Sequence, residues 1–309
     1  MTGFPDDIAA LAKRVRNWGR WGTDDRLGTL NLVDRDAVRR GLACATDGRA
    51  ISLALPLSKD GPQLGFIAAR TNPALTTFTF AGGTEPLDAS FLWHDNQVTL
   101  GVQAATHWDG LAHASYGGQL YNGFPAAGIT DDGVGPLGIE NVRTLVSRGV
   151  LLDIAAARAV DRLGKSEVVT GDDLDAATEL ARTTIEPGDV VLVRTGHIQR
   201  FHEGDRITYA AHAPGPGLSA VEWFHRHDVA AVALDNLIFE VYPSEREDAP
   251  LAVHFLDIVD MGLTQGQNFD LEALAVDCAA DGRYTFLLSA SPEPFVGAAG
   301  APVNPVAVK

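Results

Sequence analysis

Cysteine is nearly absent from this 309-residue chain: Cys44 and Cys278 are the only two, too few for a disulfide framework or a cysteine-built zinc site. That count fits a reducing compartment, and both cysteines read as small buried apolar residues. Positive charge is scarce as well. Lys and Arg number 24 against 40 Asp and Glu, a formal net charge of -16, which argues against nucleic acid or an anionic membrane as partner. No apolar run is long enough to span a bilayer. Residues 1–20 mix Asp6, Asp7, Lys13 and Arg14 with short apolar steps and lack the continuous stretch of a signal peptide. The cytoplasm is the expected location and a small molecule the expected partner. Two familiar signatures are also missing: no Gly-x-Ser-x-Gly elbow marks a serine hydrolase, and no Gly-x-Gly-x-x-Gly follows a strand. Pro214-Gly-Pro-Gly217 is interrupted by proline and reads as a turn leading into a helix.

What the chain does have is material for a sizeable core, with 46% hydrophobic and 21% charged residues. Residues 6–15 read as a short helix and 34–46 as another, opened by Asp34 and Asp36 and stopped at Asp47-Gly48. A strand is expected at 50–57. Residues 61–88 are rich in Gly, Pro and Thr without a helical period, which predicts a long pocket-lining loop with one extended piece. Residues 97–103 read as a strand with Val98, Leu100 and Val102 on one face. Gly149-Val-Leu-Leu-Asp-Ile154 and Asp189-Val-Val-Leu-Val-Arg194 are short apolar runs of the fully buried kind, with a helical pattern over 170–182 between them. Further helices are expected at 218–227, 254–261 and 271–278, strands at 230–235 and 284–289, and then a Pro- and Gly-rich tail. The alternation predicts an α/β fold. No repeat or linker divides the chain, so it reads as one domain over 1–309 with a helical extension at about 1–48.

The most informative stretch is Gln103-Ala-Ala-Thr106-His107-Trp108-Asp109-Gly-Leu-Ala-His113, which holds two histidines, a carboxylate and a carboxamide. In an extended chain side chains alternate faces, so Gln103, His107 and Asp109 would point the same way if a strand runs through them. His107 and Asp109 could then converge on one cation. His plus Asp suits Zn or Mn, whereas the carboxamide oxygen of Gln103 is a harder, weaker ligand. His113, four residues beyond Asp109, would sit nearby as a general acid or base. The same spacing also fits two hydrogen-bonded pocket histidines and a turn carboxylate, and by itself does not choose.

Other residues are weaker candidates. His254 starts an apolar helix and reads alone as a satisfied structural histidine, and Gln267 as a solvated loop residue. His94, His202, His225 and His227 read as surface residues. His197 ends a buried strand, where ligand crevices of open α/β sheets form, and is a candidate pocket residue. Trp108, Tyr116 and Tyr121 could wall a substrate pocket or pack in the core. An anionic substrate would need Arg194 or another basic residue to offset the general negative field.

With these residues in place, the chain resembles a known family, the cyclase family of metal-dependent hydrolases, which includes bacterial kynurenine formamidase and isatin hydrolase. Its motif is His-x-Gly-Thr-His-x-Asp-x-Pro-x-His. Thr106, His107, Asp109 and His113 match in register, while Gln103 stands for the first His, Ala105 for the Gly and Leu111 for the Pro. The resemblance runs from Asn17-Trp18-Gly-Arg-Trp21-Gly22 through Tyr121-Asn122-Gly123, Arg194-Thr195-Gly196 and Asp235-Asn236 to Gly300-Ala-Pro302-Val-Asn304-Pro305, and is closest to the longer members. It implies a swivelling β/β/α fold with a mixed sheet, assembled as a homodimer or homotetramer with the site near subunit contacts. Position by position, it makes Gln103, His107 and Asp109 metal ligands and His113 the proton carrier. His254 and Gln267 take the places of a His and a Glu that hold a second metal in formamidases. Glutamine at two of these positions removes a nitrogen donor and a negative charge, so one divalent ion, Mn or Zn, is expected rather than two.

The resulting expectation is hydrolysis of an amide, lactam or lactone in a small cyclic or aromatic substrate, by metal-activated water with His113 as general acid and base. Two other readings stay open. One is a metal-dependent cyclase or dehydratase, a lyase that consumes no water; the other is a metal-free binding protein with a degenerate site.

Overall fold

The computed structural model describes residues 3–81 and 91–309. Its strands, in chain order, are β1 (Ala50–Ser52), β2 (Ala74–Ala81), β3 (Leu92–Thr99), β4 (His107–Asp109), β5 (Val146–Asp153), β6 (Val168–Val169), β7 (Val190–Arg194), β8 (Gly215–Pro216), β9 (Ala231–Leu234), β10 (Thr264–Gln267), β11 (Thr285–Ser289), β12 (Gly300–Pro302) and β13 (Val306–Val308). Nine of them form one mixed sheet in the order β1-β13-β11-β5-β7-β9-β10-β4-β12. Strands β5, β7, β9 and β10 run parallel through its middle. Antiparallel strands flank them: β11, β13 and β1 on one side, β4 and β12 on the other.

The apolar runs become central strands because both faces of the sheet are covered. Val150, Leu152, Val191, Val193, Val232 and Leu234 face a layer that includes helices Asp6–Val15, Gly171–Leu180 and Leu218–Arg226. Leu151, Val190, Leu192, Ala231 and Ala233 face the opposite layer, with helix Glu272–Asp281. Strand side chains alternate faces, so a run apolar at every position finds cover on both sides. Each Val or Leu so buried contributes about 1.5–3 kcal/mol. The helices begin where side chains satisfy their free N–H groups. Asp34 accepts from Asp36 and Ala37, and Thr170 with Asp173 forms a reciprocal capping box.

The chain departs from the sequence expectations in places that matter for the site. The strand expected at 97–103 lies earlier, as β3, and the chain then turns: Ala104 N–H donates to Gly101 O at 2.9 Å. A side chain at Gly101 would meet Ala69 O at 2.7 Å, so this close approach leaves room only for glycine. The strand expected at 50–57 shrinks to β1. The expected loop 61–88 contains β2; residues 82–88 lie outside the described residues. The helix expected at 254–261 is Ala252–Phe255 continued by a π-type turn, Leu256–Met261. The tail supplies β12 and β13. Cys278 is buried, whereas Cys44 is only half-buried. Within the first 48 residues, Ile8, Leu11 and Val15 enter the main core.

Strands β2 and β3 form a separate antiparallel ribbon, exposed along its length, with Phe78, Phe80 and Trp93 on one face. No helix among the described residues is long and apolar enough to cross a membrane.

Candidate metal and active site

Three short strands make the floor of the site. Strand β4 lies between β10 and β12, which sets His107 opposite Gln267 and Pro302, and Asp109 opposite Gln265 and Gly300. Directly opposed residues share a face, so His107, Asp109 and Gln267 lie together and Trp108 and Gly266 lie on the reverse. Gly300 keeps this floor open. A methyl group there would sit 2.6 Å from Trp108 O, 2.9 Å from Gln103 Nε2 and 3.3 Å from Asp109 Oδ1. Gln103 therefore reaches the same floor as Asp109, from a turn rather than a strand.

The ring of His107 is fixed by its Nδ1, which lies 2.7 Å from Ala105 O; Nδ1–H donates there, leaving a lone pair on Nε2. That Nε2 is buried without a hydrogen-bond partner, as are Asp109 Oδ1, His254 Nδ1 and Gln267 Oε1. His107 Nε2 and His113 Nδ1 are each 3.5 Å from Asp109 Oδ1. One ligand atom each from Asp109, His113 and His254 fall within 4.8 Å of one another, a separation that one divalent cation can bridge. Gln267 Nε2 donates to the second Asp109 oxygen at 2.5 Å. Unpaired lone pairs buried together are costly, and a cation would satisfy them with the nitrogen and oxygen donors that Zn or Mn accepts.

Burial acts to raise Asp109, but the positive charge of the adjoining imidazoles when protonated, His113 first and His107 next, outweighs it, so the carboxyl keeps its charge below the ordinary carboxylate range. Burial lowers His113 to about 4, so its ring is neutral at pH 7 and able to take a proton. Behind His254, the buried Glu240 carboxylate accepts the His254 backbone N–H at 2.8 Å and lies 3.3 Å from its Nδ1.

His113, His254 and Gln267 open onto a cavity of about 780 Å³, walled by Leu64, Phe66, Ile67, Leu237 and Phe255 among others. The His113 side chain is 21% exposed and that of His107 0%, so His113 faces the cavity and His107 lies beneath it.

A family model described as "Putative cyclase" matches residues 51–241, more than half of the chain. A solved structure described as a novel cyclase is 34% identical, covers 96% of this chain and 99% of its own, and superposes with a TM-score of 0.87. The chain belongs to the cyclase family. More distant cyclase-like folds include an isatin hydrolase bound to the product analogue thioisatinate, 16% identical over 89% of this chain and 98% of that one, TM-score 0.60. Another is isatin hydrolase A from Ralstonia solanacearum, 21% identical over 88% and 95%, TM-score 0.59. A predicted metal-dependent hydrolase from Bacillus stearothermophilus is 17% identical over 85% and 98%, TM-score 0.51. No curated protein matches the sequence. The family model ends before His254 and Gln267, and the fold brings both to the site.

Several residues considered from the cyclase sequence lie elsewhere. Trp108 is fully buried on the reverse of the floor, its Nε1 donating to Ala290 O at 2.8 Å. Tyr121 is buried, donates to Asp25 at 2.9 Å and covers Gly262. Tyr116 packs on Phe4 and Phe255 and donates to Asp260 at 2.6 Å. None of the three lines the cavity. Arg194 is held by Asp153 at 2.9 Å and Glu272 at 2.8 Å, on a different depression of the surface. His197 is buried against Tyr209, and its Nε2 lies 2.9 Å from His212 O. Gln267, expected in a solvated loop, is a buried strand residue, because β10 is inserted between β9 and β4.

Arg70 and Glu240 also stand at the site, outside the motif and its pattern. Arg70 Nη2 lies 3.3 Å from His113 Nε2 and lines the cavity. A signal for it existed: it is the only Lys or Arg between residues 61 and 142. Glu240 had none, since only the fold brings it to His254.

Proposed function

We propose that this cyclase-family protein is a metal-dependent hydrolase that opens an amide, lactam or lactone bond in a small cyclic or aromatic substrate. The observation that carries the reading is the pairing of His107 Nε2 and Asp109 Oδ1, both buried, unpartnered and 3.5 Å apart, beneath a large apolar cavity. Asp109 and His254, with His107 3.5 Å from Asp109 and the carboxamides of Gln103 and Gln267, would hold one divalent ion, Mn or Zn, while His113, the third member of the cluster, is kept as the proton carrier. When bound, such an ion acidifies water and polarises a carbonyl. The chain's own residues do the rest. The Ala105 carbonyl fixes the His107 tautomer that a metal needs. Asp109 faces His113 Nδ1, so Nε2 is the atom presented to the cavity. There His113 takes a proton from the attacking water and returns it to the leaving nitrogen or oxygen. Leu237, Phe255 and the 64–67 segment seat an apolar ring and exclude bulk water. Isatin hydrolases, whose fold this chain shares, are the precedent for that substrate class.

Elemental analysis of protein purified without added metal, followed by a screen of formamides, lactams and lactones, tests the reading. The expected result is one ion per chain and a product heavier than substrate by one water. His113→Ala should keep the ion and lose turnover by about 10²–10⁴-fold. His107→Ala and Asp109→Ala should lose both. Full activity in His113→Ala ends its role as proton carrier, and loss of the ion there makes it a ligand instead. A product of unchanged mass marks a cyclase or lyase, and absence of any ion marks a binding protein.

A further inference from the structure

Arg70 is the only charged side chain among the described residues that line the cavity. It is half-buried, and among the described residues its side chain has a single polar partner, His113. Several other partly buried arginines rest on carboxylates, Arg16 on Asp260, Arg148 on Asp189 and Arg194 between Asp153 and Glu272, while Arg40 and Arg206 donate to the backbone carbonyls of Pro187 and Asp60. A guanidinium carries five N–H donors in a planar fork, so Arg70 keeps most of its donors for something else. Gln63, Ser115, Tyr242 and Gln267 also line the cavity with acceptor oxygens, but none of them is hydrogen-bonded to Arg70. The molecule as a whole carries a net charge of -16 and repels anions, so an anionic ligand needs a local cation to enter.

We propose that Arg70 recognises a carboxylate on the substrate. The fork matches a carboxylate with two parallel hydrogen bonds, and the apolar surroundings strengthen them. Because Nη2 lies 3.3 Å from His113 Nε2, the acid group sits close to the bond that His113 works on. The substrate class is therefore an aromatic or cyclic amide or lactone that already bears a carboxylate near the scissile carbonyl. Its apolar body lies on Leu237, Ile238 and Phe255, and its charge on Arg70.

This assignment rests on the cavity being the substrate site, as in the hydrolase reading, but its test needs no turnover. The probes are benzoate and its uncharged isostere benzamide, titrated calorimetrically into the full-length protein. Wild type should prefer benzoate by about tenfold or more, the worth of a charge-assisted hydrogen bond. Arg70→Gln should abolish the preference while leaving benzamide affinity within about twofold, because only the charged contact is removed. Arg70→Lys should retain part of it, keeping charge but not the fork. Equal binding of the two probes to wild type, or no binding of either, overturns the proposal. So does a preference that survives Arg70→Gln, since the carboxylate is then held by other groups. If Arg70→Gln does not fold, Arg70→Lys and the wild-type preference decide. A protein that binds benzoate through Arg70 yet hydrolyses nothing keeps this assignment and loses the hydrolase reading.

Discussion

Gln267 donates from Nε2 to Asp109 at 2.5 Å, and both side chains are buried. A carboxamide can make that contact because it carries hydrogens; an ionised carboxylate cannot. Gln267→Glu would set two carboxylates against each other, so without a cation one must take a proton or the pair must separate. The variant should therefore be less stable than wild type in chelator, by about 1–3 kcal/mol. It should also gain more from a divalent ion, which restores the missing positive charge. Calorimetric melting with and without chelator measures both, and the expectation is a larger chelator-induced fall in Tm for Gln267→Glu. A fall equal to or smaller than that of wild type would show that Gln267 does not border the ion. At this scale the sequence was partly legible. His107 and Asp109 share a face because strand residues alternate, and the same alternation sends Trp108 to the reverse. Arg194, expected as the counter-charge for an anionic substrate, lies on another depression of the surface: a strand-end cation is visible in sequence, but its capture by Asp153 and Glu272 is not.

Strands β4, β10 and β12 have three or four residues each, yet their pairing sets His107, Asp109 and Gln267 on one face. Gly266 in β10 lets them pack. A methyl group there would lie 2.6 Å from the Ala233 Cβ, 2.7 Å from the Trp108 ring and 2.8 Å from that of Phe269. All three neighbours are buried, so none can swing away freely. Gly266→Ala should cost about 1–3 kcal/mol by overpacking and pull Gln267 away from Asp109. Urea unfolding read by tryptophan fluorescence checks the first effect and metal content the second; stability within about 0.5 kcal/mol of wild type would contradict the packing described. The longer elements were readable because local chemistry announces them. Asp34 and Thr170 open helices as N-caps, and the unbroken apolar runs of β5, β7 and β9 demand a sheet covered on both faces. Strands β4, β10 and β12 carry no such signal. Thr264-Gln-Gly-Gln267 is polar, and its strand character comes entirely from neighbours distant in sequence.

Across the whole molecule, the α/β class was legible from alternating patterns, but the return of the tail into both sides of the sheet, β12 at one edge and β13 between β1 and β11, was not, because pairing across so many residues leaves no local trace. Folding also buries ionisable groups with opposite consequences for stability in acid. Burial lowers His197 to about 4, and unfolding returns it to about 6.5. A group depressed in this way contributes stability that is present above its unfolded pKa and is lost as pH falls through the folded value. Asp235 runs the other way. Burial raises it to about 7 against the hydrogen bonds that Thr195 and Gly196 donate. Its contribution is fully present below about pH 3.9 and is lost as pH rises through the folded value. The two windows overlap, so the wild-type pH curve alone assigns neither, and a difference between proteins is required. His197→Gln removes one of the slopes and leaves Asp235 in place. Between pH 7 and 4, wild type should lose up to about 3 kcal/mol more unfolding free energy than His197→Gln, whatever the variant costs at neutral pH. Urea titrations across that range give the comparison. Curves that stay parallel would mean that His197 holds its proton equally well folded and unfolded, which its burial against Tyr209 does not allow.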